Sequence, residues 1–352
     1  MAFKLVCDRI VDKRMYPALA TWQAAPYSAE WQQFGQHWPF TVPGELPEYC
    51  ARHGFPIEMY QYDQGYPENS FYLISLGFFS FDVDYFGAMV PQLQQDLRDN
   101  KIRVLFYYHE GDNPFAIKKR LDALCQQHNL STKCYRFISG NTKADRIPGF
   151  AYFPDHELLY WNRGRRERGV VIHTDPRPRL FTALNRTHKW WRATAMADLW
   201  RKGLLDNSFW SYRTDVECGD VPENNPIELA KLDGIEPDLE RFLAGTPYVC
   251  DDLSTDQHND HHFVETEFYT QSYCSIVLET HFDADNSGGA FITEKVFKAI
   301  KHGHPFVVVG CPGTLETLRK LGYGVFDHAI DNRYDEETNN TQRWRMALAA
   351  IQ

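Results

Sequence analysis

Past Gly288 and Gly289 the chain runs Ala290-Phe291-Ile292-Thr293-Glu294-Lys295-Val296-Phe297-Lys298-Ala299-Ile300, turns at Gly303, and continues as an apolar run from Pro305 to Gly310. A glycine-rich loop, a short amphipathic stretch and a wholly apolar one, in that order, constrain the fold strongly. A strand that is apolar on both faces belongs in a parallel sheet covered by helices. Thr293 suits an N-cap, which puts Glu294 at N1 and Lys295 at N2, while Val296, Phe297 and Ile300 form one buried stripe. The first turn of such a helix has unpaired N–H groups and the positive end of the helix dipole, so it favours an anion. Glu294 gains from that end. Lys295 is placed against it, and a phosphate-bearing ligand would offset the misplacement. The same residues also fit a solvated first turn with a chance Glu-Lys pair, and the spacing alone leaves both open.

The alternation of apolar runs and helical stripes extends along most of the chain. Strands are expected over 71–79, 102–108 and 135–138, with a helix over 114–128 whose Ile117, Leu121, Leu124 and Cys125 share a face and whose Pro114 is tolerated at the start. A second series follows: strand 180–184, helix 187–202 stopped by Gly203, strand 208–212, a broken helical region over 226–245, and strand 275–279. It continues with helix 294–301, strand 306–310 and helix 315–321 capped by Gly322. The first 70 residues are rich in aromatic, Pro and Gln residues and show only scattered short elements. Because 352 residues exceed the usual size of one hydrophobic core, two α/β domains are expected, over 1–165 and 180–335, joined by a linker over 166–179 and followed by a C-terminal helix within 336–352.

Over 179–327 the chain resembles the donor-binding half of the α-1,3-fucosyltransferase group. In that family a strand ending at a carboxylate leads through a loop to a Thr-Glu-Lys helix start, a small-residue helix and an apolar strand ending in Gly. Here these read Ser275 to Glu279, the loop to Ile292, Thr293-Glu294-Lys295, and Val307 to Gly310. Leu278-Glu279-Thr280-His281 stands where the family has Phe-Glu-Asn-Ser, and a longer loop follows. The resemblance implies two Rossmann-like domains facing across a cleft, a GT-B-like architecture. It implies Glu294 as a clamp on the ribose of a nucleotide sugar, Lys295 as a phosphate ligand, and Arg186, at the end of Leu180-Phe181-Thr182-Ala183-Leu184-Asn185-Arg186, as a second phosphate ligand. The family's donor implies a GDP-linked, fucose-like sugar. In the loop before the clamp, Asp283 or Asp285 could receive sugar hydroxyls, although Asp, Asn and Gly residues mark ordinary surface turns equally well.

Glycosyl transfer with inversion needs a base near the acceptor hydroxyl and stabilisation of the leaving diphosphate on the opposite face of the sugar. In His109-Glu110-Gly111-Asp112 the polar residues fall at the carboxyl end of the 102–108 strand, the edge where open sheets place ligands. Glu110 is the preferred base, with a short counterpart in the Gly-and-Glu turn of the fucosyltransferase acceptor domain. His109, a residue type whose unperturbed pKa is near neutrality, is the alternative, and Asp112 the third. Glu110 could instead serve the helix that begins at Asn113 and Pro114.

A net charge of -10 argues against a broad nucleic-acid surface. The strongest basic run, Arg163-Gly164-Arg165-Arg166-Glu167-Arg168, fits a solvated linker as well as a groove. Eight scattered Cys without a Cys-x-x-Cys pair, no apolar start of signal-peptide length and no membrane-length apolar segment lead to the expectation of a reducing, cytoplasmic setting. Asp256-Gln257-His258-Asn259-Asp260-His261-His262 invites a metal reading, but its Asp and Asn residues disfavour the helix that would bring His258 and His261 together, so a polar loop is preferred and no dedicated metal is expected. The leading expectation is an inverting glycosyltransferase moving a sugar from a nucleotide donor to a saccharide or other hydroxyl. The alternatives are a phage or viral transferase acting on a modified nucleobase, a non-catalytic nucleotide-sugar-binding protein, and a scaffold in which Glu294 and Lys295 make only an internal ion pair.

Overall fold

Runs of β-branched and aromatic residues pair as parallel strands throughout the computed structural model, which describes residues 2–7, 54–76, 79, 81–108, 110–157, 175–214, 220–250, 266–283 and 289–352. The chain divides into two units, Met1–Leu158 and Leu159–Gln352. Among the described residues no helix is long and apolar enough to cross a membrane.

In the first unit six strands, β1 (Phe3–Cys7), β2 (Ile57–Gln61), β3 (Ser70–Leu76), β4 (Ile102–Tyr108), β5 (Tyr135–Ser139) and β6 (Phe150–Tyr152), lie in the order β2-β1-β3-β4-β5-β6, each parallel to its neighbours. Strand β4 shows why the sequence reads as continuously apolar there. Val104, Phe106 and Tyr108 pack on one face with Ile117, Leu121 and Leu124, whereas Leu105 and Tyr107 pack on the other with Leu73 and Phe153. Helix α1 (Pro91–Arg98) leads into β4, and α2 (Pro114–Gln127) follows it. Asn113 caps α2, its side chain accepting from the N–H groups of Phe115 at 3.0 Å and Ala116 at 3.4 Å. The 71–79 strand is in fact Ser70–Leu76. Strands β1 and β2 lie in the stretch without clear periodicity, and β6 lies between the expected 135–138 strand and the 166–179 linker, where no strand is expected. Runs of five or three residues are too short to show a period by themselves.

The second unit carries four parallel strands, β7 (Arg179–Asn185), β8 (Phe209–Tyr212), β9 (Ser272–Leu278) and β10 (Phe306–Val309), in the order β10-β9-β7-β8. Its first strand is therefore internal, and the chain reverses its direction of travel across the sheet between β7 and β9. Helix α3 (Trp190–Arg201) follows β7, α4 (Ile235–Ala244) precedes the short α5 (Thr266–Thr270), and α6 (Glu294–Lys301) joins β9 to β10. Helix α7 (Thr314–Lys320) and the terminal α8 (Asn340–Ile351) complete the unit. Helix α3 starts three residues later than its apolar pattern, because the chain stays extended at Lys189 and the carboxylate of Asp220 takes the Trp190 N–H at 2.7 Å. Helix α8 packs Trp344 into this unit's core, where its indole N–H donates to buried Asp198 at 2.9 Å.

Candidate functional site

Where strand order reverses in an open parallel sheet, the helices leave on opposite faces and a crevice opens at the carboxyl ends of the strands. In the second unit those ends are Asn185-Arg186 after β7 and Glu279-Thr280-His281 after β9. The register Thr182 to Ser275 brings both out on one edge. Glu279 is fully buried. One carboxylate oxygen accepts from Thr293 N at 3.1 Å, and the other from Thr293 Oγ1 at 2.7 Å and Thr280 N at 3.1 Å. This carboxylate pins the start of α6 to the end of β9. Gly310 makes room for it, since a Cβ there would stand 3.3 Å from the Glu279 Cβ and 2.9 Å from Thr314 Oγ1.

Thr293 is the N-cap of α6, with Glu294 at N1 and Lys295 at N2, as the sequence predicts. The Lys295 ammonium turns back toward the strand end, 3.0 Å from Thr280 Oγ1, 3.0 Å from Thr293 Oγ1 and 3.3 Å from Glu294 Oε1. Glu294 is nearly buried and Lys295 half-buried. A partly exposed pair at 3.3 Å contributes little stability alone.

Two further cations, not singled out from the sequence, reach the same place. Arg192 of α3 is buried, with Nε at 3.1 Å and Nη2 at 2.7 Å from the Glu279 carbonyl oxygen and Nη1 at 3.3 Å from that of Thr187. Lys189 stands at the N-cap of α3. His281 packs against Phe291 at 5.4 Å between ring centres. Burial pushes its imidazole down to about 3, and the charges of Lys189, Arg192 and Lys295 act in the same direction. The ring is thus neutral at ordinary pH while cations from the starts of two helices face it. A sequence signal for Arg192 existed: it and Asp198 are charges inside an otherwise apolar helix, and buried charges need partners.

Glu294 and Lys295 are bonded to one another, and Arg186 follows β7 on the same edge. Asp283 accepts from Asn340 Nδ2 at 3.0 Å. In the first unit Glu110 follows β4, its carbonyl oxygen accepting from Gly140 N at 3.2 Å, while Asn141 Nδ2 holds Gly111 O at 2.8 Å. Asp112 accepts the Tyr108 hydroxyl, whose pKa is pushed up by burial and then by the charges of Asp112 and Glu110. The side-chain cap of α2 comes from Asn113, so the capping alternative for Glu110 falls to its neighbour. His109, Asp285, the 163–168 basic run and the 251–262 segment lie outside the described residues.

Two other features sit away from this edge. His304, buried, accepts at Nδ1 from the Ser275 hydroxyl at 2.7 Å and donates from Nε2 to the Ser272 carbonyl oxygen at 2.7 Å, which ties together the amino ends of β9 and β10. An open depression lined by Trp200, Arg201, Lys202, Asp233, Asp238 and Arg241 lies at the far end of α3.

No family model and no curated protein matches this chain. Among solved structures, the chain is similar to the crystal structure of an α1,3-fucosyltransferase at 10% identity and a TM-score of 0.38, the match covering 99% of this chain and 80% of that one.

Proposed function

We propose that this protein is a glycosyltransferase that takes a sugar from a nucleotide-linked donor and places it, with inversion, on an acceptor hydroxyl. The observation that carries this reading is the Lys295 ammonium, turned from the first turn of α6 onto Thr280 where the strand order reverses, with Arg192 and Lys189 adding positive charge around a neutral His281. Such an edge suits a diphosphate. In this reading Lys295 and Arg186 hold the phosphates, Glu294 takes the ribose hydroxyls and Asp285 the sugar. The likeness of Thr293-Glu294-Lys295 to the fucosyltransferase motif makes a GDP-linked, fucose-like donor the first to try. Glu110, with His109 as the alternative, is the proposed base: it removes the acceptor proton as the hydroxyl oxygen attacks the anomeric carbon and the bond to the diphosphate breaks.

Thermal shift with GDP, UDP, ADP and CMP, free and sugar-linked, tests the donor site, because a ligand of the native state raises its apparent stability. One nucleotide class should stabilise the parent, and Lys295→Ala should weaken that binding by about 1.5 to 3 kcal/mol, the scale of a hydrogen bond to a charged group, with the fold retained. Lys295→Arg should not restore it, since a planar fork replaces a compact charge. Unchanged affinity in a folded Lys295→Ala protein, or no binding by the parent, refutes the reading.

A further inference from the structure

Helix α8, although remote in sequence from the strand-end residues, sends one side chain into the loop that leaves β9. Arg343 is 1% exposed. Its Nε donates to the Gly310 carbonyl oxygen at 3.1 Å, at the end of β10, and its Nη2 donates to the Phe282 carbonyl oxygen in the loop after β9. Nη1 donates to the Glu337 carbonyl oxygen at 2.9 Å, and Nη2 also reaches Asn340 Oδ1 at 2.6 Å. The guanidinium lies 4.1 Å from the centre of the Phe282 ring, which stacks on Trp191 at 4.7 Å. Asn340 extends the same clamp, its Nδ2 donating to Asp283 Oδ1 at 3.0 Å.

Every hydrogen-bond acceptor named here for Arg343 is an uncharged oxygen, and burial pulls its pKa down to about 10. A buried cation of this kind is a poor way to gain stability, because an apolar residue of similar volume commonly serves as well or better. What a planar fork does supply is direction: a single side chain spans the ends of β9 and β10 and the entry to α8. The carbonyl it holds on Phe282 is one residue from His281 and two from Thr280, the partner of the Lys295 ammonium.

We infer that Arg343 is a positioning residue for the phosphate-binding edge, fixing the Phe282-Asp283 segment from α8 and thereby the placement of Thr280 and His281 against Lys295. This rests on the donor-site reading above. The test measures GDP affinity by calorimetry, with urea unfolding run in parallel, on the full-length parent, Arg343→Lys and Asn340→Ala. Asn340 is half-buried, so its replacement removes one Asp283 contact and one Arg343 contact without excavating the core. Both variants should fold. GDP binding should weaken about ten-fold in Arg343→Lys and about three-fold in Asn340→Ala, the size of effect that small displacements of binding groups produce. With a true acceptor, donor KM should rise while kcat at saturating donor stays near the parent's. A purely structural Arg343 would lower the urea midpoint yet leave the Kd of the folded protein unchanged, and that result overturns the inference. Should Arg343→Lys not fold, Asn340→Ala decides alone: parental GDP affinity there overturns it. If the parent itself binds none of GDP, UDP, ADP, CMP or inorganic pyrophosphate, the donor-site reading fails first, and this inference with it.

Discussion

Replacing Glu279 with Gln should destabilise the second unit by about 2 to 4 kcal/mol. The change preserves volume, so the cost comes from hydrogen bonding. One carboxylate oxygen serves Thr293 N, and the other serves Thr280 N and Thr293 Oγ1. An amide offers one oxygen and one NH2. With its oxygen toward Thr293 N, the NH2 faces Thr280 N; flipped, it faces Thr293 N. Thr293 Oγ1 can rotate to accept in the first case, but in either orientation a backbone N–H meets another donor. One charge-assisted bond is lost, worth about 1.5 to 3 kcal/mol, and leaving the part-buried Thr280 N–H unsatisfied adds about 0.5 to 1 kcal/mol after relaxation. Urea unfolding followed by tryptophan fluorescence is a suitable assay, because Trp190, Trp191, Trp200, Trp210 and Trp344 all lie in this unit. Thr293→Ser, which keeps the hydroxyl, should remain within about 1 kcal/mol of the parent. A Glu279→Gln protein unfolding at the parental midpoint with the parental slope would show that the carboxylate does not hold the α6 start as described.

Stability should also fall with acidification. His281 and His304 are held neutral with pKa values near 3 and 4 by burial, against about 6.5 when unfolded, so below pH 6.5 the unfolded chain takes up protons that the folded one refuses. Each contribution is complete above pH 6.5 and shrinks as pH falls toward the folded value, by about 2 kcal/mol per group at pH 5; urea midpoints that do not move between pH 8 and pH 5 would contradict this. Gly310→Ala should cost about 1 to 3 kcal/mol, since its methyl group would press on Thr314 Oγ1 and the Glu279 side chain; a variant as stable as the parent shows that the edge can yield. Glu110→Gln should keep nucleotide affinity and lower transfer about 100-fold or more at saturating donor. Parental turnover there, with an inactive His109→Ala, moves the base to His109.

Local sequence determined a good part of this protein. The β4 run is apolar on both faces, Asn113 and Pro114 open α2, and Thr293 caps α6, because periodicity, capping chemistry and proline geometry act over a few residues and are written there. The same logic located Glu294 and Lys295 at the mouth of α6. It could not show the side of β7 on which β9 pairs, because alternation along a strand assigns faces and not neighbours, and parallel partners lie far apart in the chain. Strands β1, β2 and β6, of five, five and three residues, became strands through pairing. The distant partners of Arg192 and Arg343 were hidden for a related reason: they are the main-chain oxygens of Glu279, Gly310 and Phe282, 87, 33 and 61 residues away. A carbonyl oxygen has no residue identity for a sequence pattern to carry, so only the tertiary structure decided which strand ends those guanidiniums would hold.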